Sequence, residues 1–222
     1  MKLRCPIHKS YINNAKVAVI HQLFGENLNP QWEKSHTGID FNTMGIFKYK
    51  RDATNWIKEP RGTTEADGRI PIVAAHSGKT TLVLNPEKQR QGWGLYVTAE
   101  PTQENGEEVQ YRTLYWHIET PWGSLQSFMG VVKRTISPNV VTGQIIAIAG
   151  DNGLSDGPHL HFQLERRIGT GEWEPIDPMP YLQDEEVIYQ RYDMTSSRWF
   201  YKGTEITRGR VEEIKESLMP VV

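Results

Sequence analysis

Two short motifs in this chain have the residue types and spacing of a metal site. The first contains His36 and Asp40, with Gly38 between them. In a strand these three positions share one face, so an imidazole and a carboxylate would flank a residue without a side chain and leave space for an ion. Taken alone, the motif is a weak signal, and such a pattern is more often a surface turn that contains a histidine and an aspartate.

The second motif places His159 and His161 two residues apart, directly after Pro158. Proline is tolerated at the first residue of a strand. In such a strand both imidazoles project to one face, while Leu160 and Phe162 face the core. Because two neighbouring imidazoles must both find polar partners, this pattern indicates a metal or acid–base site.

A further histidine, His117, lies near the end of an aromatic run at residues 114–118 that predicts a strand. A single histidine there is more often structural. Together with the two motifs, however, the chain offers two imidazoles and one carboxylate, a set that suits catalytic zinc. Two imidazoles then remain for proton transfer near neutral pH. The other histidines, His8, His21 and His76, lack such neighbours in the sequence, and His76 is expected in a hairpin turn.

These motifs together resemble those of the lysostaphin-like zinc endopeptidases, which include the LytM-type autolysins. That family has an HxGxD motif, then an aromatic-x-His-hydrophobic element, then GxSxGPHLHF. Here the three elements are residues 36–40, 115–118 and 153–162. The resemblance extends over roughly residues 17–182, and its last motif is the most specific.

The resemblance implies one Zn²⁺ per chain, held by His36, Asp40 and His161. It implies that His117 and His159 form the catalytic pair, without settling which of them is the general base. The implied activity is that of a zinc-dependent endopeptidase (a metalloprotease) that hydrolyses peptide bonds in the stem or cross-bridge peptides of bacterial peptidoglycan. All five positions are filled, which favours an active enzyme.

Three alternatives remain open from the sequence. One is a catalytically inactive relative that binds wall peptides or regulates a partner. Another is a zinc carboxypeptidase or amidase acting on the same polymer, although residues 157–162 point away from it. The third is a structural or lysis component of a phage, in which the C-terminal segment would serve for docking.

The chain departs from the family pattern in three places. Residues 42–69 form a longer segment than usual with little periodicity, so we expect a long loop or insertion with at most a short helical turn. Leu95 stands where the family often has Asn, and Gln163 stands where Glu is common. Since none of these changes removes a ligand, they bear on substrate preference more than on activity.

Short runs rich in β-branched and aromatic residues predict the elements that must position these side chains. Close spacing of short strands favours an antiparallel sheet or sandwich over parallel βαβ units, and the resemblance implies the all-β lysostaphin-like fold of the duplicated hybrid motif type. The predicted strands are residues 16–20, 38–41, 70–75, 80–84, 94–98, 110–118, 144–149 and 159–165.

The character of the sequence changes near residue 184. We therefore expect a peptidase domain over residues 1–183 and a small C-terminal appendage of unknown role over residues 184–222. Within the appendage, strands are predicted at residues 185–192 and 198–201. Apolar residues spaced as on one face of a short helix follow them, namely Val211, Ile214 and Leu218.

Composition narrows the range of partners. Charged residues make up 23% of the chain and the formal net charge is −2, so no polybasic surface for nucleic acid is expected. No apolar run is long enough to span a bilayer. The first seven residues lack the apolar core of a signal peptide. The lone cysteine, Cys5, cannot close an intrachain disulfide and is expected to be a free thiol.

The expected partners are therefore peptidoglycan peptides, with no nucleic acid, no membrane insertion and a monomeric state. The expected place of action is the cell wall outside the cytoplasm. Without a signal peptide of its own, the chain would be secreted by another route, associated with a phage, or released by lysis.

Overall fold

A computed structural model of the chain describes residues 1–8, 12, 17–28, 35–43, 47–51, 56–60, 70–85, 92–118, 139–150, 155, 159–192 and 197–218. Much of the predicted insertion at 42–69 lies outside these residues. Residues 153–154 and 156–158 of the last histidine motif also lie outside them.

The described residues form sixteen strands and little helix. The strands are β1 Val17–Gln22, β2 Ile39–Asn42, β3 Phe47–Arg51, β4 Trp56–Pro60, β5 Pro71–Val73, β6 Gly78–Asn85, β7 Gly92–Thr98, β8 Thr102–Glu104, β9 Glu107–Ile118, β10 Asn139–Val140, β11 Ile145–Ile148, β12 His159–Ile168, β13 Glu174–Ile176, β14 Ile188–Arg191, β15 Arg198–Tyr201 and β16 Thr204–Ile206. A 3-10 turn spans Met179–Tyr181, and the helix α1 spans Arg208–Leu218. Each strand predicted from the sequence overlaps one of these, so the all-β class is confirmed.

Twelve strands belong to one sheet, in the order β10-β6-β7-β9-β12-β2-β1-β14-β15-β16, with β8 beside β9 and β13 beside β12. The strands β5 and β11 form a second, two-stranded sheet. Among the described strand pairs, β1 and β14 run parallel and the others antiparallel. A parallel pair requires a long crossover connection, which the chain between these two strands supplies.

The main hydrophobic core lies on one face of the central strands. On β12, Leu160 and Phe162 are fully buried, and on β2 Ile39 and Phe41 are fully buried. Burying side chains of this size contributes about 1.5–3 kcal/mol each. Because successive strand residues point to opposite faces, the polar residues between these apolar ones all project from the other face of the sheet, near its centre.

The C-terminal strands continue this sheet rather than starting a separate one. Val17 pairs with Ile188 across β1 and β14. The helix α1 then packs Val211 and Ile214 against these two residues to form a second, smaller core. Val17 alternates with Ala18, which belongs to the main core, so α1 covers the face of the sheet that carries the polar residues.

Two local expectations differ from the structure. The predicted insertion contains a hairpin, β3 with β4, where we expected at most a helical turn. Its β-branched and aromatic content explains the difference. His76 does not lie in a hairpin turn, because β5 and β6, which flank it, belong to different sheets. Among the described residues, no helix has the length and apolarity needed to cross a bilayer.

Candidate metal centre

Strands β2 and β12 bring the two histidine motifs together. Asp40 lies directly opposite His161 in the antiparallel register, and Asn42 lies opposite His159. Directly opposed residues point to the same face of a sheet. Asp40 Oδ1 is accordingly 3.0 Å from His161 Nδ1, and Asp40 Oδ2 is 3.8 Å from His159 Nε2.

His36 reaches the same point from the segment before β2. Its Nε2 is 2.9 Å from His161 Nδ1 and 3.2 Å from Asp40 Oδ1, and its side chain is buried. This approach depends on Gly38, where a Cβ would lie 2.6 Å from the Phe162 carbonyl oxygen and 2.9 Å from His161 Nε2. The glycine therefore lets the backbone close against β12.

Hydrogen bonds on the far side of each ring fix which nitrogen faces the centre. His36 Nδ1 donates to the Leu23 carbonyl oxygen at 3.2 Å, which leaves the lone pair of Nε2 toward Asp40. His161 Nε2 donates to Gln163 Oε1 at 3.3 Å, because the amide nitrogen of Gln163 is turned toward the Glu165 carboxylate. The lone pair of His161 Nδ1 therefore also faces Asp40.

Three acceptor atoms converge as a result. The two imidazole nitrogens and Asp40 Oδ1 lie 2.9–3.2 Å from one another. Acceptors so close repel each other unless a cation or protons lie between them. Ligands of tetrahedral zinc at its usual bond lengths are about 3.3 Å apart. The donor set and spacing thus fit a zinc ion, and His36, Asp40 and His161 are the residues that could hold it.

The electrostatics of the centre favour an ionised Asp40. Burial alone would raise the pKa of this carboxyl group. When acid protonates the facing nitrogens of His161 and His36, their hydrogen bonds and the charge of the neighbouring imidazoles lower the pKa well below its usual range. The carboxylate is therefore available as a ligand throughout the pH range in which imidazoles are neutral.

His117 reaches this face through a β-bulge in β9. Strict alternation would point it to the core side with Tyr115, which is fully buried. The register of β9 with β7 shifts at this point, since Ile118 pairs with Trp93 and Trp116 pairs with Gly94. His117 is the extra residue and has a φ of 60°, in the left-handed region. Such a bulge re-aims a side chain.

The re-aimed His117 ring lies beside His159, the other histidine outside the group His36, Asp40 and His161. The ring centroids of His117 and His159 are 4.5 Å apart, and those of His117 and His161 are 6.3 Å apart. On its other side His159 Nδ1 is 3.3 Å from Ser155 Oγ. The structure thus brings all five predicted residues together, with two imidazoles next to the three converging ligand atoms.

Sequence reasoning missed several residues around the centre. His21 has no functional neighbour in the sequence, yet it lies in a register irregularity of β1 and hydrogen-bonds Asn42. Burial and the charge of His159 lower the pKa of His21, while Asp40 opposes them. A bulge is not visible in the hydrophobic pattern, so the sequence held no signal for this placement.

A polar chain extends from His161 along the same face of the sheet. Gln163 Oε1 accepts hydrogen bonds from His161 and from Thr37 Oγ1, the latter at 2.7 Å. The Gln163 amide donates to Glu165, and Arg112 donates to the other carboxylate oxygen. Gln163 and Glu165 are buried. The departure from the family pattern at Gln163 thus keeps an acceptor for the His161 ring.

The other departure, Leu95, is a core residue. It is fully buried and pairs with Tyr115 on the core side. Tyr115 is likewise a core aromatic, whereas Trp116 lies half-buried on the face of the candidate metal ligands, next to Gly94. Of these two neighbouring aromatics, Trp116 is therefore the one on the site face.

Comparison with known proteins gives a likeness in structure only. No family model and no curated protein matches the sequence. Among solved structures, the catalytic domain of the antimicrobial peptidase lysostaphin from Staphylococcus simulans is 22% identical with a TM-score of 0.40, over 78% of this chain and 96% of that one. The catalytic domain of the prophage-encoded M23 protein EnpA from Enterococcus faecalis is 21% identical with a TM-score of 0.39, over 72% of this chain and 88% of that one.

A zinc-containing peptidase from Vibrio cholerae is also similar, with 21% identity and a TM-score of 0.41 over 83% of this chain and 40% of that chain. At this level of similarity we argue function from the five side chains of the site themselves.

Proposed function

We propose that this chain is a zinc-dependent endopeptidase that hydrolyses peptide bonds in the stem or cross-bridge peptides of bacterial peptidoglycan. The observation that carries the proposal is the convergence of three acceptor atoms 2.9–3.2 Å apart, next to two further imidazoles. His36, Asp40 and His161 would hold one zinc ion. The peptide substrate in the wall, outside the cytoplasm, follows from the resemblance of the motifs.

When bound, zinc supplies Lewis acidity, which polarises a carbonyl group and makes water more acidic. The other tasks belong to His117 and His159. One imidazole takes a proton from the attacking water and later gives it to the leaving amine, as general base and general acid. The other, in its protonated form, stabilises the negative charge that develops on the carbonyl oxygen.

The two imidazoles are held differently, which suits distinct tasks. His159 lies on a regular strand, with Ser155 Oγ near its Nδ1 and Asp40 Oδ2 3.8 Å from its Nε2. His117 is buried and fixed by the bulge. We assign the proton transfer to His159 and the oxyanion contact to His117.

The first test separates metal binding from turnover. The purified chain should contain about one zinc ion, release muropeptides from peptidoglycan, and lose activity with a chelator. His159→Ala should retain zinc and lose about 100-fold or more in kcat, whereas Asp40→Ala should lose zinc. Elemental analysis and mass spectrometry of a muropeptide digest measure both, with His8→Ala as a control away from the site.

Two outcomes contradict the proposal. If His159→Ala loses its zinc together with its activity, the division of roles between ligands and catalytic pair is wrong. If the wild-type chain binds zinc but releases no fragment from peptidoglycan, the chain is a wall-binding or regulatory relative and not an enzyme.

A further inference from the structure

Arg191, at the end of β14, connects the C-terminal strands to the loop beside the metal centre. Its guanidinium Nε donates to both carboxylate oxygens of Glu26, at 3.2 and 3.0 Å. The Arg191 side chain is buried and also donates to the Tyr192 carbonyl oxygen. The pair is part-buried, since the Glu26 side chain is 27% exposed, and the planar guanidinium holds the carboxylate in a defined orientation.

Glu26 in turn closes the tight turn that carries the acceptor for His36. Its Oε2 accepts from the Leu23 backbone N–H at 2.9 Å, and its own N–H donates to the Leu23 carbonyl oxygen at 3.2 Å. Gly25, with a φ of 79°, allows the chain to reverse here. The turn is tied to His36 as well, because the His36 backbone N–H donates to the Glu26 carbonyl oxygen at 3.0 Å.

The Leu23 carbonyl oxygen that this turn presents is the acceptor of His36 Nδ1. That hydrogen bond keeps the proton on Nδ1 and the lone pair of Nε2 toward Asp40. A continuous chain of contacts thus leads from Arg191 through Glu26 and Leu23 to a ligand of the centre. Arg191 itself is held in register because β14 pairs with β1, where it lies opposite Ile20.

We propose that Arg191, acting through Glu26, is a positioning residue for His36, so that the C-terminal strands are part of the metal centre. This inference rests on the proposed function, since it assumes that His36 is a metal ligand. It assigns a role to residues beyond 183: they set the tautomer and orientation of one ligand rather than only docking the chain to a partner.

The test compares two arginines of neighbouring strands. Arg191→Met removes the contact to Glu26. Arg198→Met removes the same charge from β15, where Arg198 pairs with the exposed Glu205 and lies close enough to act electrostatically on Glu26. Changes to groups that orient metal ligands typically cost 10–100-fold in metal affinity. We expect a loss of that size for Arg191→Met and none for Arg198→Met, measured by competition for zinc with a chromophoric chelator.

A second variant and a second readout separate positioning from general destabilisation. Glu26→Gln keeps the shape of the side chain, and combined with Arg191→Met it should add little further loss, because both changes break one chain of contacts. Long-range ¹H–¹⁵N spectra of the metal-free protein should show His36 protonated on Nδ1 in the wild type and a mixture of tautomers in Arg191→Met and Glu26→Gln.

Unchanged zinc affinity and an unchanged His36 tautomer in both folded variants would overturn the inference and leave the proposed function intact. A wild-type chain that binds no zinc would refute the proposed function instead. In that case the tautomer measured without metal still decides whether Arg191 orients His36. If Arg191→Met does not fold, Glu26→Gln alone decides the question by the same two measurements.

Discussion

The side-chain amide oxygen of Gln163, Oε1, accepts two hydrogen bonds, from His161 Nε2 and from Thr37 Oγ1. A carboxylate could accept both as well. However, Glu165 already places a carboxylate next to this position, and two adjacent carboxylates would repel each other. The amide avoids this repulsion, since its N–H group donates to Glu165. At the residue scale, the negative charge is thus carried by Glu165 and not by the residue that contacts the His161 ring. Arg112 neutralises the Glu165 carboxylate.

Replacing Gln163 by Leu should therefore weaken zinc binding without removing a ligand. The His161 ring loses its acceptor, and the buried Glu165 loses a donor, which costs about 1–3 kcal/mol of stability. We expect a 10–100-fold lower zinc affinity in a chelator competition assay. Gln110→Leu is the matched control. Gln110 lies on the neighbouring strand β9, on the same face of the sheet as Gln163, and contacts Arg167 away from the site. Equal zinc affinity in the two variants would refute this role of Gln163.

The residues of the site were predictable from their types and spacing, whereas the residues that hold them were not. Asp40 and His161 stand on strands whose faces follow from alternation, whereas His36 lies in the segment before β2. Gln163, Glu165 and Arg112 meet through the register of β9 with β12, in which Glu165 lies opposite Arg112. Register depends on pairing between distant segments, so spacing within one segment carries no information about it.

At the scale of elements, the bulge in β9 decides whether the site is complete. Alternation correctly predicted the faces of β2 and β12, but would have sent His117 into the core. The shift in register opposite Gly94 turns it outward. Gly94 matters for a second reason, because a Cβ there would lie 2.0 and 2.3 Å from ring atoms of Trp116. The absence of a side chain at Gly94 therefore leaves the space that the Trp116 ring occupies, directly before the bulge.

Gly94→Ala should consequently impair turnover more than metal binding. Trp116 must move, and with it the adjacent His117, while His36, Asp40 and His161 lie on other segments. Overpacking of this kind costs about 1–3 kcal/mol of stability, and a displaced catalytic group can lower kcat by up to about 100-fold. Peptidoglycan hydrolysis and zinc content measure the two effects.

The control for this substitution is Gly209→Ala in α1, where an added Cβ meets no atom within 4 Å. Alanine is favoured over glycine in a helix by about 1 kcal/mol, so this variant should be as active as the wild type and slightly more stable. A Gly94→Ala enzyme with full activity would show that the bulge does not depend on this glycine.

At the scale of the whole molecule, the N-terminal residues join the strands before residue 184 to those after it. Leu3 bridges to Leu182, and Ile7 bridges to Ile72 next to β11. Between them the Cys5 backbone N–H donates to Asp184, which also accepts from Tyr189 Oη at 3.3 Å. The division at residue 184 that the sequence suggested is thus crossed by hydrogen bonds, which no composition shift could reveal.

Cys5 provides a probe of this junction. Burial raises the pKa of its thiol to about 12, so the native chain should react very slowly with iodoacetamide at pH 8 and rapidly once unfolded. The sign of the pH effect follows from proton binding. Above about pH 9 the unfolded chain loses the thiol proton while the folded chain keeps it, so stability should fall as pH rises toward about 12.

The fall amounts to at most about 1.4 kcal/mol per pH unit for one proton. Denaturant unfolding at several pH values measures it, and Cys5→Ala, which has no thiol to ionise, should show a smaller decrease over the same interval. Burial also raises the pKa of several tyrosines that remain in both proteins and contribute to the decrease that is left, namely Tyr96, Tyr111, Tyr115 and Tyr189. Cys5 contacts Asp184 at this junction. Rapid alkylation of the folded chain would therefore mean that the junction opens without global unfolding. The C-terminal strands would then not be fixed to the sheet as the hydrogen bonds imply.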